Sequence, residues 1–186
     1  MEARGVVTAE KFPRVSHWRK NRDGTVAIEF ALTAIPFFLL VVGLLETSLL
    51  YAAATTLEGG TVAASRLIRT GQAQASGDPQ TAFETLLCEH VDALIPCEEL
   101  VYEAIVPPGN TFDDAEGIPP QFDGDGNLIP DGFDAGGVSD VVVIRTSYRY
   151  QFITPFVAPM FSNNADNSTI LMSTVTIRNE PYDFEE

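Results

Sequence analysis

The chain has 186 residues, of which 45% are hydrophobic and 20% charged, a composition that fits one ordinary domain and excludes wholesale disorder. Its formal net charge of −15, from 11 Lys and Arg against 26 Asp and Glu, argues against a surface that binds nucleic acid or anionic membranes. The charge is unevenly distributed, with net +3 in residues 1–24 and net −18 in the remainder. The most apolar stretch of the chain separates these two parts, and this arrangement is typical of a membrane-topology signal.

The first predicted element is a membrane helix. Residues 30–45 carry no formal charge and are bounded by Glu29 and Glu46. At about 1.5 Å per residue they form about 24 Å of helix, and the flanking turns extend it to the ~30 Å of a hydrocarbon core. The basic segment 19–22 should remain in the cytoplasm, which places the C-terminal part outside. We therefore predict a transmembrane and assembly helix over residues 25–57.

Two other interpretations of the apolar run remain open. A buried core helix has the same composition but does not account for the flanking charges. A cleavable secretory signal would use the small residues Ala52, Ala53 and Ala54 as its cleavage site. That signal would need an unusually long n-region containing acidic residues, and Glu46 would precede the cleavage site.

Glu29 lies at the entrance of the apolar run, where a carboxylate needs compensation. Insertion of an ionisable side chain costs about 2.5–3.5 kcal/mol at the centre of a membrane helix and less near its end. A cut between Gly24 and Thr25 would create an α-amino group that is cationic near neutral pH and could pair with Glu29. Alternatively, the Glu29 side chain extends to the lipid headgroups.

Residues 22–30, RDGTVAIEF, resemble a class III prepilin-peptidase site. Gly24 stands before the scissile bond, Glu29 is the fifth residue after it, and the aromatic Phe30 is next. The following apolar stretch, with Pro36 and Glu46, is similar to the TadE-like pseudopilins of tight-adherence (Flp) pili. Residues 141–148 and 152–156 resemble the penultimate strand and the following apolar loop of that family.

The resemblance implies a minor pseudopilin needed for assembly of a tight-adherence type IV pilus. A prepilin peptidase would remove the cytoplasmic leader, residues 1–24. Glu29 would then pair with the amino terminus of a neighbouring subunit, while Ile28, Phe30, Leu32 and Phe37 pack against other pilins and pseudopilins. The implied location is the bacterial inner membrane, crossed once, with the C-terminal head in the periplasm. The inner-membrane assembly platform is another implied partner, and the resemblance also implies incorporation of the subunit into an extracellular pilus.

Four residues are expected to shape the long helix. Pro36 removes one backbone hydrogen bond and predicts a kink. Gly59 and Gly60 should weaken the helix beyond the membrane. A helical pattern then resumes over residues 62–69, and Gly71 is expected to end it.

The exported head, residues 58–186, is predicted to be a small α+β domain. Asp78 and Pro79 are typical of a helix start, and apolar residues recur at helical spacing over 83–94. Residues 100–106, 140–152 and 169–178 alternate as strands, separated by a long Gly/Pro/Asp loop over 107–137. The predicted fold is therefore pilin-like α+β, with a long N-terminal transmembrane helix, a second helix and a three-stranded antiparallel sheet.

Cys88 and Cys97 are the only cysteines, and in an exported head they predict a disulfide. On one continuous helix they would lie about 13 Å apart, beyond the ~7 Å that a disulfide spans. The helix should therefore end soon after His90, with the chain doubling back by Pro96. Zinc binding by Cys88, His90 and Cys97 is an alternative that lacks an evident fourth ligand.

The loop at residues 123–134 invites comparison with a calcium site. Oxygen-bearing side chains occur at the first, third, fifth, ninth and twelfth positions of an EF-hand-like spacing: Asp123, Asp125, Asn127, Asp131 and Asp134. However, Leu128 replaces the usual glycine and Pro130 follows it, so we expect a solvated acidic loop. The alternative function is an unprocessed, membrane-anchored periplasmic binding module that uses calcium.

The sequence gives little indication of catalysis. It has two histidines, of which His17 lies in the predicted leader. We recognise no nucleophile motif, phosphate loop or metal-ligand spacing. We therefore expect neither enzymatic activity nor a cofactor.

Overall fold

The computed structural model describes residues 24–155, 157–162, 164 and 166–182. Apart from Gly24, the predicted leader lies outside the described residues. The described residues form two compact units, one ending at Val41 and the other beginning at Val42. Each unit is described by itself below.

Helix α1, Thr25–Arg69, contributes to both units. It continues beyond residue 57, where the predicted transmembrane helix ended, and passes through Gly59 and Gly60 without interruption. It ends where predicted, because Gly71 takes the left-handed conformation with φ 76° and its N–H donates to the Ile68 carbonyl. Arg66 and Arg69 lie in the last turn, where their positive charges interact favourably with the negative end of the helix dipole.

The last turns of α1 form part of the core of the second unit. Residues buried along them are spaced by one, three or four positions, which places them on one helical face: Ala53, Leu57, Gly60, Thr61, Ala64, Ser65 and Ile68. The second unit therefore depends on α1 for one of its main packing surfaces.

Helices α2, Gln72–Ala75, and α3, Pro79–Val91, follow. Asp78 caps α3 by accepting a hydrogen bond of 3.2 Å from the Thr81 N–H, and Pro79 occupies the first turn, as predicted. Buried residues of α3 lie at helical spacing: Phe83, Leu87 and Val91. A short 3-10 turn, Cys97–Glu99, leads into the sheet.

The sheet has three antiparallel strands in the order β1-β2-β3, which confirms the predicted α+β fold. The strands are β1, Leu100–Ile105, β2, Val141–Gln151, and β3, Ser168–Arg178. Their register pairs Leu100 with Tyr148 and Val141 with Arg178. The observed bounds differ from the predicted ones by one residue at several ends, within the usual fraying of strand termini.

Both faces of β2 are buried, each against a different partner. Val142, Ile144, Tyr148 and Tyr150 belong to the main core together with α1 and α3. Side chains alternate along a strand, so Val141 and Val143 point to the other face, where they pack with Ala115. Ala115 belongs to α4, Phe112–Glu116, a short helix within the segment 107–137.

The segment 107–137 is therefore not simply a solvated acidic loop. Leu128 and Ala135 are buried, although many of its carboxylates remain exposed. Near its end, the Ala104 N–H donates to the Gly132 carbonyl and the Asp134 N–H donates to the Ala104 carbonyl. This short parallel pairing covers part of the β1 edge, where unpaired backbone groups would otherwise face solvent. Burial of a Gly/Pro/Asp-rich segment depends on contacts far along the chain, which composition does not reveal.

Gly60 allows α1 and α3 to approach closely. A Cβ placed on Gly60 would lie 2.8 Å from Cγ1 of Val91 and 3.2 Å from Cδ1 of Leu87. Its neighbour Gly59 has no atom within 4 Å of the equivalent position. The two adjacent glycines thus differ only in whether another helix packs on them.

We expect Gly60→Ala to lower the stability of the full chain, because overpacking costs about 1–3 kcal/mol and exceeds the gain in helix propensity of about 1 kcal/mol. Gly59→Ala is the matched control and should leave stability unchanged or raise it by up to about 1 kcal/mol. Thermal unfolding of the purified chain in detergent would measure both. Equal effects of the two substitutions would contradict the proposed close approach.

Candidate functional site

The residues predicted for processing and subunit pairing lie in the first turns of α1. Gly24 is exposed and precedes the helix, and its carbonyl accepts a hydrogen bond of 3.1 Å from the Ile28 N–H. Glu29 and Phe30 are both exposed one turn later, with 71% of Phe30 accessible. The structure thus brings the predicted cleavage site and the predicted pairing residues together, while cleavage and pairing stay predictions.

Helix α1 presents a long apolar surface. One stretch of 18 residues in this helix has a mean hydropathy of 2.3, and none of these residues is buried. More than half the surface is accessible on many of its large apolar side chains: Val26, Ile28, Phe30, Leu32, Ile35, Phe37, Phe38, Leu40, Leu44 and Leu45. Among the described residues, α1 is the one helix long and apolar enough to cross a membrane. Exposure on this scale is unusual for a soluble monomer and suggests a single-pass membrane anchor.

Pro36 lies inside this apolar part of α1. Because proline has no N–H, it cannot donate to the carbonyl of Leu32, four residues earlier. One turn before Pro36, the Thr33 hydroxyl donates to the Glu29 carbonyl at 3.1 Å. The kink that Pro36 predicts stays a prediction.

Glu46 forms the most distinctive polar cluster of the second unit. It lies just past the apolar run, yet its side chain is only 3% exposed. The Ile153 N–H donates to Oε1 at 3.0 Å, and the Thr154 hydroxyl donates to Oε2 at 2.7 Å. The Tyr150 hydroxyl lies 3.4 Å from Oε1, a longer contact. One carboxylate of α1 therefore holds the end of β2 and the chain that follows it.

This arrangement explains how a carboxylate can be buried beside an apolar helix. Burying a charged group without partners is strongly unfavourable, but hydrogen bonds to an ionised group contribute about 1.5–3 kcal/mol each. Burial is the largest cause that raises the pKa of the Tyr150 hydroxyl, and the charge of Glu46 is the next largest. This hydroxyl therefore keeps its proton and can donate. The cluster is suited to fastening two segments together.

From the sequence, Glu46 was identified as a flank of the membrane helix and as part of the family resemblance, with no buried partner expected for it. Its partners lie more than a hundred residues later in the chain, so no local pattern reveals them. The one available signal is that a charged residue interrupts a helix that stays apolar on both sides, through Leu49 and Leu50. Such a residue usually has a buried partner.

A second buried polar cluster holds the segment 107–137 against the sheet. Arg145 and Glu103 form an ion pair with 2.6 Å between Nη1 and Oε1, and each side chain is at least 96% buried. Arg145 also donates to the Ile118 carbonyl, and Glu103 accepts from the Asp131 N–H at 2.9 Å. Since a buried ion pair is favourable only when its remaining donors and acceptors are also satisfied, these backbone contacts are part of the same interaction.

Three of the five candidate calcium ligands lie in one tight turn. The Asp123 carboxylate accepts from the N–H groups of Asp125 and Asn127 at 2.9 and 2.8 Å. The side-chain hydrogen bond from Asn127 is the largest cause that lowers the pKa of Asp123. Arg149 donates to Oδ1 of Asn127 and to the Asp125 carbonyl, so a cationic side chain already lies against this turn.

The other two candidate ligands, Asp131 and Asp134, lie beside β1. Their N–H groups donate to Glu103 and to the Ala104 carbonyl, respectively. The structure gives the five residues no common centre, so calcium binding stays the untested alternative. The Arg149 guanidinium, which donates to Asn127 and to the Asp125 carbonyl, argues against it.

Cys88 and Cys97 form the disulfide that the sequence predicts, with Cα atoms 5.5 Å apart. Helix α3 ends at Val91, and the chain turns back before Cys97, also as expected. Glu84 lies close to the two sulfur atoms, in a group whose spacing could hold a metal ion. Because the disulfide uses both thiols, this group offers no thiolate ligand. His90 instead directs Nδ1 to the Leu86 carbonyl at 3.0 Å.

We expect Glu46→Ala to destabilise the second unit by about 1–3 kcal/mol, because it leaves the Ile153 N–H and the Thr154 hydroxyl without their acceptor. Thr154→Val removes one of these hydrogen bonds and should cost about 1 kcal/mol. Chemical denaturation of the full chain in detergent would measure both effects.

Glu58→Ala is the matched control for this series, because Glu58 is an exposed carboxylate on the same helix. Its effect should remain within about 0.5 kcal/mol. An unaltered stability of Glu46→Ala would contradict the fastening role.

Comparison with known proteins bears on the first part of the chain. Residues 24–66 match the family model described as TadE-like protein. The match begins at Gly24, includes Glu29, Pro36 and Glu46, and covers most of α1. The resemblance to TadE-like proteins is thereby confirmed over this segment, whereas the likeness noted at residues 141–148 and 152–156 stays a prediction. No curated protein and no solved structure matches the chain.

Proposed function

We propose that this TadE-like chain is a minor pseudopilin required for assembly of a tight-adherence type IV pilus. The observation that carries the proposal is the exposed apolar helix that begins at Thr25, directly after the glycine where the family match begins. The family suggests an association with such pili, and the helix suggests a membrane anchor. The finer steps below are our inference.

Processing would separate Gly24 from Thr25. A prepilin peptidase needs access to the scissile bond, and Gly24 and Thr25 are both exposed. The cut would remove the basic residues that keep the leader in the cytoplasm and would leave a new cationic α-amino group. The anchored subunit then differs from its precursor at the end that meets its neighbours.

Pairing through Glu29 would give the assembly its register. Glu29 is exposed on α1, so its carboxylate is available to a second subunit. In the low dielectric of a helix bundle, such a charge is tolerated when an opposite charge lies against it. The α-amino group of a neighbouring Thr25 has the required charge, and the surrounding apolar side chains would fill the rest of the contact.

The partners implied are other pilins and pseudopilins of the same system, the prepilin peptidase and the inner-membrane assembly platform. Exposed side chains available for helix packing are Ile28, Phe30, Leu32 and Phe37. The chain would act by association, with its head outside the cytoplasm, and we propose no catalytic step for it.

The proposal is tested by Glu29→Gln in a pilus-forming host that lacks the native copy. Removing one charge of a buried pair costs about 3–5 kcal/mol, which corresponds to a loss of more than about a hundredfold in subunit association. We therefore expect few or no surface pili, counted by electron microscopy, at normal membrane levels of the protein. The molecular mass of the membrane-bound form should match that of the processed wild-type chain, which separates pairing from cleavage.

Glu58→Gln is the control, because it removes an exposed charge from α1 outside the predicted apolar run. It should assemble like the wild type. Normal piliation of Glu29→Gln would contradict the pairing role and favour an anchored head that does not assemble.

A further inference from the structure

A second apolar surface lies in the segment that follows β2, defined here by the described residues 152–155 and 157–161. Three of its large apolar side chains are exposed: Ile153 at 77%, Met160 at 78% and Phe161 at 43%. The sequence has no charged residue between Arg149 and Asp166, although the chain as a whole is strongly acidic. Met160 and Phe161 are consecutive in the chain, and exposed apolar side chains that lie together mark contact sites.

The segment is held against the end of the apolar run of α1. A Cβ placed on Gly43 would lie 3.9 Å from Cγ2 of Val157, so the Val157 side chain packs close to α1 at Gly43. Three residues further along α1, Glu46 binds the Ile153 N–H and the Thr154 hydroxyl. Leu44, Leu45 and Leu49 are exposed on the same part of α1. Within the second unit, the segment therefore lies beside the exposed apolar side chains at Leu44, Leu45 and Leu49 of α1.

Many backbone donors of the segment are absent or are satisfied within the protein. In lipid, every N–H needs a partner within the protein. Pro155 and Pro159 have no N–H. Several other donors are satisfied internally: Ile153 by Glu46, Val157 and Ala158 by the Thr154 carbonyl, Met160 by the Val157 carbonyl and Ser162 by the Ala158 carbonyl.

We propose that this segment inserts into the leaflet on the side of the head, so that the chain contacts the bilayer through Ile153, Met160 and Phe161 in addition to α1. The partner is the boundary between lipid headgroups and acyl chains, where short apolar segments and aromatic side chains are favoured. The inference rests on the proposed membrane anchoring of α1 but not on pilus assembly. Glu46 then has a second role. Its carboxylate accepts hydrogen bonds from the Ile153 N–H and the Thr154 hydroxyl, so these polar groups can lie close to lipid.

The test uses tryptophan fluorescence of the full chain in vesicles of neutral phosphatidylcholine. Trp18 is the only native tryptophan, and Trp18→Phe removes its signal. In that background, Met160→Trp reports on the segment, Leu45→Trp on α1, and Ile129→Trp on an exposed apolar position of the segment 107–137. Brominated lipid quenches a tryptophan within the bilayer, whereas iodide quenches one in water.

We expect the Met160→Trp fluorescence to be quenched by brominated lipid and protected from iodide, as for Leu45→Trp. Ile129→Trp should show the opposite behaviour. Quenching of Met160→Trp by iodide, with Leu45→Trp still protected, would overturn the proposal while leaving the anchor intact. Quenching of both by iodide would overturn the anchor as well.

A contact between copies of the chain is the competing explanation. In that case the Met160→Trp fluorescence would be protected from both quenchers, and protection would be lost as the protein is diluted in lipid. That outcome would also overturn insertion into the bilayer.

Discussion

Helix α1 is continuous, yet its first part exposes apolar side chains and its last part packs into a protein core. The rest of the structure depends on this constraint. From Thr25 to Leu45 the side chains of α1 are mainly apolar and exposed, as a lipid-facing helix requires. From Ala53 to Ile68 a regular apolar stripe packs into the core of the head. Glu46 lies between these two parts, and its hydrogen bonds join α1 to the end of β2. Glu46 is thus the first buried residue of α1 after the exposed apolar run, seven residues before the packed stripe begins at Ala53.

Buried polar contacts play the same part elsewhere in the head. Glu103 and Arg145 hold the segment 107–137 on one face of the sheet, while α1 and α3 cover the other. Each cluster links residues that are distant along the chain, and each satisfies its charges with backbone donors or acceptors. A thin three-stranded sheet cannot bury both of its faces alone, so these additional contacts complete the domain.

Several features could be predicted because their causes are local. Helical spacing and the Asp78–Pro79 start predicted α3, alternation predicted the three strands, and the two cysteines predicted the disulfide. Glu46 was missed because its partners are Ile153 and Thr154, which no spacing rule connects to it. The covering role of the segment 107–137 was missed for the same reason, since Asp and Gly content predicts solvation whereas Leu128, Ala115 and the Arg145 contacts decide its position. The candidate site at Gly24, Thr25, Glu29 and Phe30 followed from charge placement and family resemblance, neither of which requires tertiary contacts.

The central claim is that α1 begins at the amino terminus of the mature protein, so that its first charge can pair with Glu29 of a neighbour. The most direct measurement is the N-terminal sequence of the protein recovered from membranes of its native host. We expect a start at Thr25, reading TVAIEF. A start at Met1 would contradict it and leave an unprocessed anchor, and a start near Thr55 would contradict it by releasing the head from the membrane.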